Sequence, residues 1–141
     1  MSEINWAALQ QAAQQAAAQA YAPYSKFPVG VAVLAESGKI YTGCNVENAS
    51  YGGTVCAERN AIAAAVVAGE RKFTALMVYT PQQMLTPPCG ICRQVIAEFF
   101  SPNAPIASCN HLHQQQNWSL GELLPAAFTP TYLANSTKVG A

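Results

Sequence analysis

Two short stretches constrain this chain more than anything else in it: Cys56-Ala57-Glu58 and Pro88-Cys89-Gly90-Ile91-Cys92. Together they supply three thiols and one carboxyl. Three thiolates can hold a zinc ion and leave its fourth tetrahedral position for water. A carboxylate two residues from a ligand can then move that water's protons. A structural zinc site would take a fourth protein ligand and would have no use for Glu58. Cys89 and Cys92, at i and i+3, share one face of a helix. Pro88 stands where a helix commonly begins, and Cys56 opens another helical stretch. Any fold that uses all four residues must therefore aim two helix N-termini at one point. Their partial positive ends favour thiolates and lower thiol pKa.

Three thiolates on one Zn²⁺ leave a net negative charge, so such a centre is a weaker Lewis acid than one with neutral ligands. Arg59 and Arg93, each one residue past a proposed ligand, are candidates to draw density off the sulfurs; the alternative is that they are ordinary surface arginines. The chain contains no Asp, so carboxylate chemistry must come from Glu3, Glu36, Glu47, Glu58, Glu70, Glu98 or Glu122.

With five cysteines and no basic, apolar leader at its start, the chain reads as cytoplasmic, where Cys-x-x-Cys means metal or redox chemistry. The longest run free of polar residues and glycine, Ala61 to Ala68, is too short for a membrane span. A net charge of zero argues against a nucleic-acid partner. The charged fraction, only 10%, suggests that apolar surface is covered by other subunits.

The 141 residues read as one domain, 1–141, with no repeat or linker. Residues 3–20, rich in Ala and Gln, predict a helix with Ser2 as a possible N-cap and a thin stripe of Trp6, Leu9, Ala13, Ala16 and Ala20. Pro23 and Pro28 bound an aromatic loop. Val29 to Leu34 and Lys39 to Val46 predict a hairpin around Glu36-Ser37-Gly38. Residues 47–53 form a loop before a helix from Cys56 to Ala68, with Gly69 to end it. Phe73 to Thr80 predicts a strand, Pro81 to Pro88 a loop, Gly90 to Phe100 a helix and Ala104 to Cys109 a strand. The polar run Asn110 to Trp118 ends that strand or loops. Ser119 and Glu122 match a capping box before a short helix, and one short strand is expected around Thr131 to Ala134. The order αββαβαβα implies an α/β fold, a sandwich around a mixed sheet.

Four blocks in order carry a resemblance. They are Tyr21-Ala22-Pro23-Tyr24-Ser25-Lys26-Phe27-Pro28-Val29-Gly30, the run from Tyr41 to Gly52, Cys56-Ala57-Glu58-Arg59, and the run from Pro88 to Val95. From about Tyr21 to Phe128 the chain resembles the short-chain, homotetrameric cytidine deaminases that act on free nucleosides. The resemblance implies a three-layer α/β/α sandwich with one zinc per chain on Cys56, Cys89 and Cys92. Water activated there would attack C4 of cytosine, with Glu58 moving the protons, to release uridine or deoxyuridine and ammonia. It also implies that Phe27 packs on the base and that Asn45 and Glu47 bond the sugar hydroxyls. Ala57, Tyr51 and Phe128 would complete the substrate site, the last two from neighbouring subunits. On their own, Phe27, Asn45 and Glu47 read as a core aromatic, a turn residue and a surface acid. Val55, Asn60, Pro87 and Ile91 depart from the family's usual residues without removing a ligand or the acid.

Other readings stand beside this one. They are a deaminase of a related cytosine nucleoside or nucleoside antibiotic, a structural zinc module, a Cys89–Cys92 dithiol oxidoreductase, and an editor of nucleic acid. Cys44 and Cys109 read as small core residues, His111 and His113 as solvated, and Trp118 and Leu120 as core.

Overall fold

A computed structural model describes residues 3–136. The Ser2 cap and both ends of the 1–141 domain expectation lie outside the described residues. Five strands form one mixed sheet in the order β2-β1-β3-β4-β5. β1 (Gly30–Ala35) pairs antiparallel with β2 (Ile40–Cys44) on one side and β3 (Phe73–Thr80) on the other. β3 and β4 (Pro105–Asn110) are parallel, and β5 (Gln115–Ser119) returns antiparallel along the edge. A parallel pair needs a crossover, which is the helix α3 (Gly90–Phe99).

The alternation of β3 sorts the core. Leu76 and Val78 join Val31, Val33, Ile62, Ile96 and Ile106 beneath α2 (Ala57–Val67) and α3. Met77 and Tyr79 join Leu9, Ala13, Ala17 and Ala32 beneath α1 (Trp6–Ala17) on the other face. The result is the expected three-layer sandwich. Both helix-bearing faces need glycine at one strand position. A Cβ on Gly30 would overlap the Ala13 carbonyl oxygen of α1, and a Cβ on Gly43 would overlap the Ala61 amide of α2.

Local signals set most helix ends. Asn5 caps α1, accepting from the Ala8 N–H at 3.1 Å. Gly69 lies just past α2 with φ 104°, and the bonds Gly69 N–H to Val66 C=O and Glu70 N–H to Ala65 C=O complete a Schellman ending. Ser119 and Glu122 form the reciprocal box that opens α4 (Leu120–Leu123).

Two expectations fail. The polar run after Asn110 holds a fifth strand, because an edge strand with Gln115, Gln116 and Asn117 exposed needs no apolar alternation. His111 and His113 lie in the turn before it, both exposed. The Asn110 side chain organises that turn by accepting from the N–H groups of Leu112 (3.0 Å) and Gln114 (3.1 Å). The segment around Thr131 to Ala134 is helical, in α5 (Pro130–Ser136). Pro130 occupies its first position, where a missing N–H costs nothing.

Candidate active site

The two expected helix starts meet. Cys56 is the N-cap of α2 and Cys89 the N-cap of α3, both in extended conformation, and Cys92 lies in the first turn of α3. The sulfurs of Cys56 and Cys89 are 3.8 Å apart, and all three sulfurs lie within 4.8 Å of one another. Sulfurs about 2.3 Å from a shared tetrahedral ion would lie roughly 3.8 Å from each other, so the donor set fits zinc in type and spacing. Cys44 and Cys109 fall outside this cluster. Cys109 is buried among the α1-facing residues, and burial pushes its thiol up to about 11.

The three thiols already favour one thiolate. The hydrogen bond from Cys92 pulls Cys56 down to about 5, with Arg59 and Cys89 adding to it and burial opposing. Cys92 is pushed up by the same bond and by burial. A bound cation takes the place of the protons that remain. Arg59 contacts the Cys56 sulfur at 3.7 Å and the Thr54 carbonyl at 3.5 Å. Arg93 faces backbone instead, bonding the carbonyls of Pro88 (2.8 Å) and Leu123 (3.0 Å), so it ties the approach to Cys89 to the end of α4.

Glu58, in the first turn of α2, is 5% exposed. Burial raises its carboxyl to about 7, the Cys56 charge adds to this, and its own backbone N–H and Arg59 pull the other way. A carboxyl poised there can both take and give a proton at neutral pH. Ala57, beside it, is fully buried.

The proposed substrate residues lie on loops next to this centre. Val46 bridges to Val55 through two 3.0 Å backbone bonds, which sets Asn45 and Glu47 beside the strand stub that leads into Cys56. Asn45 is buried and holds the aromatic loop. Its Nδ2 donates to the Phe27 carbonyl (2.8 Å), and its Oδ1 accepts from the Val29 N–H (2.9 Å). Glu47 accepts from the N–H groups of Tyr24 (3.0 Å) and Ser25 (3.1 Å) and from the Ser25 hydroxyl. Those bonds, the hydroxyl's above all, hold its carboxyl below the ordinary glutamate range. Tyr24, Ser25, Glu47, Tyr51 and Thr54 line a cavity over this loop. Tyr51 is exposed and meets Tyr24 edge-on at 5.9 Å. Phe128 is exposed, stacks on Tyr132 at 5.8 Å, and receives a bond from Gln94 to its carbonyl. Sequence reasoning missed Tyr24, Ser25 and Thr54 as lining residues. It also missed Asn60, which ties α2 to the Cys44 carbonyl at 2.8 Å. Neither an isolated loop residue nor a single polar residue on a helix carries a pattern that would announce these contacts.

Three thiols at paired helix N-termini, with a buried carboxyl in the same first turn, are the site of a metal-dependent hydrolase. The chain matches the family model described as cytidine and deoxycytidylate deaminase zinc-binding region over residues 5–107, and it belongs to that family. A cytidine deaminase of Sporosarcina psychrophila is 49% identical over 125 residues, covering 89% of this chain and 92% of the relative. One from Mycobacterium tuberculosis is 42% identical over 128 residues, 91% of this chain and 92% of that one. The crystal structure of cytidine deaminase from Burkholderia pseudomallei superposes with TM-score 0.84 at 44% identity, covering 89% of this chain and all of that one.

Proposed function

We infer that this chain is a zinc-dependent hydrolase that deaminates cytidine and deoxycytidine to uridine and deoxyuridine, releasing ammonia. The observation that carries the reading is the buried Glu58 carboxyl beside a three-thiol centre. Family membership and relatives named cytidine deaminases support it. Cys56, Cys89 and Cys92 would hold the zinc, which when bound supplies a water activated for attack at neutral pH. The chain's own residues do the rest. Glu58 accepts the proton of the attacking water, places it on N3 of the base, and helps to protonate the amine that leaves from C4. Arg59 draws density from the Cys56 sulfur, which offsets the charge of three thiolates. Phe27 packs on the base, the backbone at Ala57 faces it, and Asn45 and Glu47 bond the sugar hydroxyls.

The exposure of Tyr51 and Phe128 supports a homotetramer in which these aromatics complete a neighbour's site. Sedimentation tests that assembly, and a fully active monomer would sink it. The reaction belongs to salvage of pyrimidine nucleosides in the cytoplasm. Among the described residues no helix is long and apolar enough to cross a membrane. The structural-zinc reading needs a fourth protein ligand, whereas among the described residues the cluster holds three.

The deciding experiment follows the ultraviolet band of cytidine with zinc-loaded native protein and with Glu58→Ala. Loss of the band with the native protein alone is expected. No change with either, while zinc stays bound, rejects cytidine as the substrate.

A further inference from the structure

We propose that Ser108, with Asn110 behind it, is a positioning residue for the metal centre: it fixes the loop 81–88 and thereby the place of the Cys89 sulfur. The proposal rests on the metal-binding reading of Cys56, Cys89 and Cys92 and extends it to a strand that carries no ligand.

On the face of the sheet beneath α2 and α3, two neighbouring rows run in register. Leu76 lies opposite Ile106, Val78 opposite Ser108, and Thr80 opposite Asn110. Both rows begin apolar and end polar where the strands reach the loop. Ser108 is fully buried and Asn110 is 3% exposed, so the polar groups there must be spoken for. They bond to the loop. The Ser108 hydroxyl accepts from the Thr86 N–H at 3.1 Å, and Asn110 Nδ2 donates to the Gln83 carbonyl at 3.0 Å.

The Ser108 bond matters because it grips the loop immediately before two prolines. Pro87 and Pro88 separate Thr86 from Cys89, and neither carries an N–H. Thr86 therefore has the last backbone N–H before that of Cys89 itself. The two proline rings fix φ at both intervening residues, so a displacement at Thr86 passes to Cys89 with little slack. Beyond them, Arg93 holds the Pro88 carbonyl at 2.8 Å. The approach to Cys89 is thus held twice, by Ser108 at Thr86 and by Arg93 at Pro88. Cys92 needs no such device, since it lies within the first turn of α3, and the approach to Cys56 is held by the backbone bridge between Val46 and Val55.

The test measures zinc release from the loaded protein to a chromogenic chelator. Ser108→Ala removes the acceptor and is expected to release zinc about tenfold faster, the size of effect typical of supporting residues around a metal. Thr86→Pro removes the donor while leaving the buried strand untouched, and it should speed release in the same way. Cys109→Ala, on the same strand but facing α1, is the control for general weakening. It should lower the melting temperature and leave the release rate at the native value. A cobalt-substituted Ser108→Ala protein should also show an altered thiolate-to-metal absorption band, which stability alone does not move. Native release rates in both Ser108→Ala and Thr86→Pro overturn the proposal, as does equally fast release from Cys109→Ala. A native protein that binds no zinc at all overturns the metal reading with it.

Discussion

The metal half and the substrate half of the active site are held by opposite means. Cys56, Glu58, Cys89 and Cys92 are placed by backbone, at the caps and first turns of two long helices packed on one sheet. Phe27, Asn45, Glu47 and Tyr51 sit on loops and turns. There the residues proposed to read the sugar also hold the loop, through their bonds to Tyr24, Ser25, Phe27 and Val29. A change in the first half should therefore remove chemistry and leave shape, whereas a change in the second should disturb both.

The largest effect expected is on the chemistry. Glu58→Gln keeps the size of a side chain that is already buried and removes its proton transfer. kcat should fall by about 10³-fold, within the range for general acid–base groups, while zinc content stays at one per chain. A loss of zinc along with activity would show that the Glu58 carboxyl helps to hold the metal as well as to move protons.

Next comes the docking of α2. Gly43→Val would drive a side chain into the Ala57 carbonyl and the Ala61 amide. It should cost about 3 kcal/mol or more, read in a denaturant titration, because overpacking at a backbone contact cannot relax. Asn45→Ala should cost less, about 1–3 kcal/mol, since it strips a part-buried carbonyl and a part-buried N–H of their partners. It should also raise KM for cytidine. An effect on KM with no loss of stability would break the comparison, because it would separate recognition from the holding of the loop.

The same half carries a pH signature. Glu47 is held ionised, so its pKa lies lower in the folded protein than in the unfolded chain. Its stabilisation is complete above the ordinary glutamate range and is lost as the pH falls through the depressed value. Glu47→Gln should accordingly melt earlier at neutral pH and show a flatter fall of melting temperature on the acid side. An unchanged acid limb would mean that the carboxylate does not hold the loop.

The difference between the halves also explains what could be read from sequence. Cys-x-Glu, Cys-x-x-Cys and the proline before it are local patterns, and helix geometry turns them into a site. The Ser119–Glu122 box and Gly69 were legible for the same reason. Resemblance alone singled out Phe27, Asn45 and Glu47, because their contacts join residues 16 to 23 apart through loops with no period. β5 was missed because an exposed edge strand obeys no apolar alternation. α5 was misread because a seven-residue segment that opens on a proline gives too short a window for either period.

The smallest effect expected is at Thr80, and it sharpens the contrast within the metal half. Its hydroxyl is fully buried, with no hydrogen-bond partner in the protein, at the end of the row that lies beside Ser108 and Asn110. An unpaired buried hydroxyl carries its desolvation cost with no bond to offset it, so replacing it with a methyl group removes a cost and leaves no orphan behind. Thr80→Val keeps the β-branched shape that suits a central strand. It should leave zinc release unchanged and raise stability by up to about 1 kcal/mol. Ser108, two register positions away on the same face and equally buried, differs in having a partner on the loop. A Thr80→Val protein that is markedly less stable, or that releases zinc faster, would show that the Thr80 hydroxyl has a role the direct contacts do not reveal. The support of Cys89 would then be shared along the row instead of resting on Ser108.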